Sequence, residues 1–351
     1  MVLRTTTSWL FIVLTLLISA CGGGGGSSSQ AQPAPTPVPA TVFALMDAGD
    51  TTERLEQYAD IDSVDGLAFR TAWSLLEPQD GVYDWTTLDA AFDIVRLRAK
   101  KLTLHTNVSE IGIPDWLAGL GVASYTYASP QGGTSTEPIP WDPTFLARYA
   151  RFLADMAAHI QARGDGDLLY AVSDGAPVAE MSLYGCLNNT LTGGTPYSRS
   201  AYLAAWTTTV DAHNVAFPSA TFPGVKLFIS APVAVICRPD IDGAAFYTEV
   251  MNHALDNNPQ TTIFAADLNA NGSSRLNQVS TSISARTSTA LQFIWSSADD
   301  PDNRMDGTLS EAVCRGLDQG ANYFEFYKDD LSSALTGIPN AIQLARDGGP
   351  G

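Results

Sequence analysis

From residue 41 onward, short apolar runs rich in β-branched and aromatic residues alternate with longer segments whose apolar positions recur every three to four residues. This alternation predicts strands that are each followed by a helix, the order of βαβ units in a parallel sheet. The predicted strands are 42–46, 67–72, 102–106, 168–173, 225–231, 262–267, 290–295 and 322–327. The predicted helices lie near 85–99, 143–162, 198–216, 241–256, 274–286, 307–318 and 339–346.

Eight strands with helices between them predict an α/β fold, a (β/α)₈ TIM barrel formed as one domain by residues 41–351. The alternative is a doubly wound open sheet. That fold would need a glycine-rich phosphate loop after an early strand. The pairs Gly132-Gly133 and Gly193-Gly194 are isolated in predicted loops, so the barrel is favoured.

The first 40 residues differ from the rest in composition. Residues 1–20 carry Arg4, an apolar run and a small-residue end, which together predict a lipoprotein signal peptide cleaved before Cys21. Cys21 would then carry the lipid, and residues 21–40 form a Gly/Ser/Pro-rich tether. The alternative is an ordinary signal peptide or a membrane anchor. We expect export and lipid anchoring to the cell envelope, at the outer membrane, with the N-terminal lipid as the sole membrane contact.

Charge and cysteine content narrow the function classes. The formal net charge of −18 disfavours nucleic acid as a partner, because phosphate binding needs clustered Lys and Arg. It suits a neutral ligand such as a sugar. An exported protein can form disulfides, and Cys186 and Cys237 follow neighbouring predicted strands, so we expect them to pair. Cys314 lies in a helical pattern and is expected to be a buried free thiol. No spacing indicates a metal site, and no metal or organic cofactor is required.

The most specific motif follows the second predicted strand. An Arg on the strand is followed by Trp, by Glu-Pro and by Gly-x-Tyr-Asp-Trp before a helix, over residues 70–85. The next strand and the stretch 113–117 extend the pattern. This unit resembles the second βα unit of clan A glycoside hydrolases, especially the β-galactosidase-like families 35 and 42.

The resemblance implies carbohydrate binding at the barrel mouth. Arg70 would orient the catalytic nucleophile. Sugar-stacking roles fall to Trp73, Trp116 and Trp141, although each could equally pack in the core. His105 and Asn107 share one face of the third strand and would line the pocket floor, with a structural role for His105 as the alternative.

Glycoside hydrolysis needs two carboxyl groups. The clan resemblance places the acid after the fourth strand, where Glu180 stands, and the nucleophile on the seventh strand, which carries no carboxylate over 291–297. The substitute is Glu325 on the eighth strand, either as the second catalytic carboxylate or as a structural ion pair with Arg70. Asp267 and Asn269 are further inward candidates.

The sequence therefore predicts a lipid-anchored glycoside hydrolase acting on an oligo- or polysaccharide. The alternative is a sugar-binding barrel that has lost hydrolysis, which the empty position on the seventh strand favours. A plain structural lipoprotein is the third hypothesis.

Overall fold

Eight parallel strands close into a barrel in which β1 pairs with β10. The computed structural model describes residues 39–107, 112–128, 134–173, 198–230, 243–332 and 337–349. Around the barrel run β1 (Thr41–Met46), β2 (Gly66–Ala72), β3 (Lys101–Asn107), β6 (Leu169–Ser173), β7 (Lys226–Ser230), β8 (Thr261–Leu268), β9 (Thr289–Phe293) and β10 (Ala321–Tyr327), with β4 (Ser124–Ala128) and β5 (Thr134–Pro138) forming a separate antiparallel hairpin. The predicted (β/α)₈ barrel is confirmed.

Helices connect the strands on the outside. They are α1 (Thr52–Ala59), α2 (Trp73–Leu76), α3 (Thr86–Leu97), α4 (Pro143–Arg163), α5 (Arg199–Ala216), α6 (Gly243–Asn257), α7 (Thr281–Ser284), α8 (Leu309–Asp318), α9 (Lys328–Ser332) and α10 (Ile338–Asp347), with short 3₁₀ turns at Asp115–Leu120, Gly166–Leu168 and Leu276–Gln278. Within the described ranges, no helix combines the length and apolarity needed to cross a bilayer.

Alternate residues of each strand serve two different cores. Phe43, Ala68 and Phe228 belong to the cluster inside the barrel, whereas Val42 and Leu67 belong to the larger cluster between strands and helices. Both faces of the sheet are therefore buried. This is why the predicted strands are nearly continuous apolar runs rather than alternating ones.

Local capping chemistry sets the helix ends. Asp142 accepts hydrogen bonds from the backbone N–H groups of Thr144 (2.8 Å) and Phe145 (3.0 Å) at the start of α4, and Gly164 ends the helix with φ of 74°. At α8, Thr308 and Glu311 form a reciprocal capping box. These ends agree closely with the predicted boundaries.

Two parts of the sequence prediction were incomplete. Helix α1 and the β4–β5 hairpin were not predicted, although Thr51 caps α1. The predicted helix at 274–286 is instead a 3₁₀ turn followed by the four-residue α7. The segment is rich in Ser and Thr, whose hydroxyl groups hydrogen-bond to local backbone and compete with a regular helix.

Cys314 corrects a further expectation. It lies on α8 with 9% of its surface exposed and is disulfide-bonded, so the predicted free thiol is wrong. A buried position on an amphipathic helix does not by itself indicate a free thiol, because a buried cysteine can still form a disulfide with a second cysteine beside it. The partner of Cys314 lies outside the described residues, as do Cys186 and Cys237, whose predicted pairing stays a prediction.

The loop between β2 and α3 is organised by the buried carboxylate of Glu77. It accepts hydrogen bonds from the indole N–H of Trp73 (2.7 Å) and the backbone N–H of Gly81 (2.7 Å), and Arg151 pairs with it from α4. The carbonyl of Glu77 accepts from the indole N–H of Trp116 (2.9 Å). The Trp, Glu-Pro and Gly elements of the motif are therefore parts of one hydrogen-bonded loop.

We expect Glu77→Ala to lower the free energy of unfolding by about 3–5 kcal/mol, because it leaves the buried indole N–H of Trp73 without an acceptor, removes the acceptor of the Gly81 backbone N–H and takes one carboxylate from Arg151. The matched control is Asp80→Ala, which removes the other, more exposed carboxylate on Arg151 and should cost about 0–1 kcal/mol. Urea unfolding of both variants measures the difference. Equal costs would contradict the role assigned to Glu77.

Candidate functional site

Inward-facing side chains reach the carboxyl-terminal mouth of the barrel from several strands. Continuing the alternation set by Phe43 and Leu45 inside the barrel, Asp47 follows β1 on the inward side. By the same alternation, Arg70 lies inward on β2 and Gln292 lies inward on β9. The residues at this end of a parallel barrel are the ones that carry function in such folds.

Arg70 links the second and seventh barrel strands. Its Nη2 donates to Oε1 of Gln292 at 2.8 Å, and its Nη1 lies 3.7 Å from Oδ1 of Asp47. The predicted pairing of Arg70 with Glu325 is therefore wrong. Glu325 is in register with Phe43 on β1 and with Gln292 on β9, and its carboxylate is bound by other side chains.

Asp47 is a mouth carboxylate between two cations. Its Oδ2 lies 2.7 Å from Nζ of Lys328, opposite the guanidinium of Arg70, and 54% of its side chain is exposed. Lys328 also donates to Asp50 at 2.6 Å. Burial alone would lower the pKa of Lys328, but its hydrogen bonds to Asp47 and Asp50 raise that pKa above the usual value. The ammonium group is therefore a fixed positive charge beside Asp47.

Below the mouth, Glu325 forms a buried polar chain with side chains from the opposite wall. Its Oε1 lies 2.7 Å from Nε2 of His105 on β3 and accepts a hydrogen bond from the hydroxyl of Tyr323 at 2.7 Å. The Tyr323 hydroxyl in turn lies 2.9 Å from Oγ1 of Thr103. Burial, followed by the charge of Glu325, raises the pKa of Tyr323 well above its usual value, so Tyr323 is a neutral donor.

Glu325 is fully buried, and its Oε2 has no hydrogen-bond partner among the described residues. A carboxylate in this position cannot touch a substrate at the mouth. The alternative structural interpretations of Glu325 and His105 are therefore favoured, with His105 rather than Arg70 as the partner of Glu325.

Comparisons with known proteins agree with this architecture. Residues 53–120 match the model of glycoside hydrolase family 42, described as β-galactosidase. Among solved structures, the chain is similar to the catalytic domain of β-amylase from Paenibacillus polymyxa (10% identity, TM-score 0.57), covering 88% of this chain and 98% of that one. It is also similar to a family 10 xylanase from Bispora sp. MEY-1 bound to xylobiose (10% identity, TM-score 0.51), covering 83% and 84%. No curated protein sequence matches.

The barrel is glycoside-hydrolase-like. The resemblance predicted from residues 70–85 and 113–117 is confirmed, since the matched stretch spans β2, α3, β3 and the loop that holds Trp116. The likeness to the two solved structures shows the fold, whereas the mouth residues bear on the chemistry.

Two of the predicted sugar-stacking tryptophans are structural in this glycoside-hydrolase-like barrel. Trp73 is fully buried and packs against Trp116, Phe145 and Tyr149, so a stacking role for it is wrong. Trp116 is partly buried and packs edge-on against Trp73, which makes it part of the same packed loop. Trp141 is partly buried, and its ring meets Tyr202 edge-on at 6.3 Å.

The predicted inward roles of Asp267 and Asn269 are also wrong. The carboxylate of Asp267 turns to its own loop, where it binds the Ser273 hydroxyl, the Ser274 hydroxyl (2.8 Å) and the Arg275 backbone N–H (3.1 Å). Asp267 has the same parity as Ile263 and Ala265, which belong to the cluster between strands and helices, whereas Phe264 belongs to the cluster inside the barrel. Asn269 likewise accepts from the Asn271 backbone N–H at 2.9 Å.

Two predicted residues are not placed by the structure. Asn107 ends β3 in register with Ala72, and its side chain lies outside the described residues. Glu180, the predicted acid, also lies outside them and stays a prediction.

Sequence reasoning missed Asp47, Gln292 and Lys328. Each stands at or just after the end of a strand that was predicted correctly, so strand position could have identified them as mouth residues. Asp47 begins a loop rather than ending a predicted strand, and Gln292 carries an amide, so neither matches the pattern of a carboxylate on a strand.

His213 anchors the end of the fourth barrel strand. His213 lies in the last turn of α5 and its ring is buried. The Nδ1 atom is 2.9 Å from the Thr209 carbonyl oxygen, and the ring also hydrogen-bonds to the backbone of Ser173, the last residue of β6. Burial lowers the pKa of His213 to about 4. The folded protein therefore keeps this imidazole neutral against the end of β6, the strand that precedes Glu180 in the sequence.

The pKa of His213 in the folded protein lies below the unfolded value of about 6.5. The neutral ring therefore contributes fully to the free energy of unfolding above pH 6.5, and this contribution is lost as the pH falls towards 4. The loss should reach about 3 kcal/mol. Urea unfolding between pH 7.5 and 4.5 should show that the difference in the free energy of unfolding between wild type and His213→Gln shrinks as the pH falls. An advantage that stays constant across this range would contradict the assignment.

Proposed function

We propose that this barrel hydrolyses glycosidic bonds of a saccharide bound at its carboxyl-terminal mouth. The observation that carries the proposal is the half-exposed carboxylate of Asp47, set between Lys328 and Arg70. The match of residues 53–120 to a glycoside hydrolase family supports the same chemistry. The net charge of −18 suits a neutral substrate.

The proposed reaction is a direct displacement by water. Glu180 donates a proton to the leaving oxygen, and Asp47 takes a proton from the water that attacks the anomeric carbon. Gln292 occupies the inward position on the seventh strand, but an amide offers no carboxylate to form a glycosyl ester. Arg70 positions both Gln292 and Asp47 through its two terminal nitrogens.

Glu325 has no direct part in this scheme. Its full burial and its bonds to His105 and Tyr323 give it a structural role in the barrel interior. Attachment to the cell envelope through Cys21 remains part of the proposal, since residues 1–38 lie outside the described part of the chain.

A second candidate function is saccharide binding without hydrolysis. The specific observation that favours it is Gln292, because a hydrolase of this clan that lost its carboxylate on the seventh strand would keep the Arg70 contact and the binding mouth. The sealed position of Glu325 points the same way. Turnover measurements separate the two functions.

The test compares wild type with Glu180→Gln and a matched control, Glu325→Gln, on nitrophenyl β-galactoside, nitrophenyl β-xyloside and the corresponding unactivated disaccharides. Glu180→Gln cannot supply a proton, so turnover of the disaccharides should fall ~10²–10⁴-fold, with a smaller loss for the activated nitrophenyl leaving groups. Glu325→Gln removes a charge that never touches the substrate and should retain turnover below its unfolding temperature.

Equal turnover by wild type and Glu180→Gln would contradict the assigned acid. Saccharide binding without turnover in wild type would replace hydrolysis with the second candidate function.

A further inference from the structure

The loop that follows β9, residues 294–308, forms a rigid rim at the mouth. Buried Asp330 on α9 accepts hydrogen bonds from the hydroxyls of Ser296 (3.0 Å) and Ser297 (2.9 Å) and from the backbone N–H of Ala298 (2.8 Å). Farther along, Asp300 accepts from the backbone N–H of Arg304 at 2.7 Å. The rim loop is therefore fixed by hydrogen bonds to Asp330 on α9 and by a hydrogen bond within its own turn.

Trp295 is displayed by this loop. It is 38% exposed, the most exposed tryptophan of the described ranges. Its indole N–H donates to the Asp299 carbonyl oxygen at 2.7 Å, and the guanidinium of Arg304 lies 4.4 Å from its ring centroid. The N–H is already satisfied and Arg304 covers one face of the ring, so the exposed part of Trp295 offers its remaining aromatic surface rather than a hydrogen-bond donor.

The surface stands beside the candidate site. Trp295 follows Gln292 by three positions at the end of β9. Its ring centroid lies 6.4 Å from that of Tyr327, the last residue of β10, which packs against the cluster inside the barrel. Trp295 therefore lies at the carboxyl-terminal ends of β9 and β10, the end of the barrel that also carries Gln292.

The charges of the rim loop select the class of ligand. Asp299, Asp300, Asp302 and Asp306 stand against a single cation, Arg304. Such an excess of negative charge opposes an acidic sugar, whereas the C–H face of a neutral pyranose buries apolar surface on an indole without a charge cost. We propose that Trp295, steadied by Arg304 and Asp299, is a stacking subsite for a neutral pyranose unit. This inference rests on the proposed function and names its substrate class.

The test is isothermal titration of the full chain with xylotriose, β-1,4-galactobiose and digalacturonate as probes. At least one neutral probe should bind wild type, and Trp295→Ala should weaken that binding about tenfold or more. Trp295→Phe keeps a ring and should restore part of the affinity. The control is Leu97→Ala, which removes a 79% exposed apolar side chain at the end of α3, next to the amino-terminal end of β3, and should bind like wild type.

Each outcome decides a different claim. Unchanged affinity in Trp295→Ala, with wild type binding, overturns the stacking subsite and leaves the proposed function standing. Tighter binding of digalacturonate than of either neutral probe overturns the neutral class. A wild type that binds none of the three probes overturns the proposed function together with the subsite.

Discussion

The hydrogen-bonded pairing of β1 with β10 is the constraint on which the rest of the molecule depends. It closes the sheet in a fixed register, with Phe43 opposite Glu325. Closure removes the sheet edges and directs every second side chain of each strand into one shared interior. Asp47, Arg70 and Gln292 meet at the mouth because they continue that alternation, not because they are near in sequence.

Closure also explains the polar chain inside the barrel. A carboxylate without water is costly, so Glu325 is held by the hydroxyl of Tyr323 and the ring of His105 from the opposite wall. With these bonds made, Glu325 has no exposed surface at the mouth. The exposed negative charge there falls to Asp47, whose position is set by Lys328 and Arg70.

The barrel was predictable from sequence because its strands are apolar on both faces and several of its helices begin at a side-chain cap. The site was harder, since partners across a barrel are not visible in sequence. Glu325 was correctly placed on the eighth strand, yet its partner proved to be His105 rather than Arg70, although those two residues are in register on β2 and β3. Asp267 was expected to face inward, yet it has the parity of Ile263 and Ala265, which face away from the barrel interior.

The motif that carried the family resemblance proved mainly structural. Trp73, Glu77 and Gly81 bind one another, so their spacing reflects a loop that must close on itself. Arg70 belongs to the motif, whereas the two residues it contacts, Asp47 and Gln292, lie outside it at the ends of β1 and β9. The barrel architecture can therefore be shared with glycoside hydrolases without fixing the residues at those two strand ends.

The central claim is that Gln292 cannot act as a nucleophile, so that water attacks the substrate directly. The most direct test is proton NMR of the first-formed sugar during hydrolysis of a glycoside of known anomeric configuration, followed before mutarotation. The account predicts a product of inverted configuration, because single displacement inverts the anomeric carbon. A product of retained configuration would require two successive displacements at the anomeric carbon and would contradict direct attack by water.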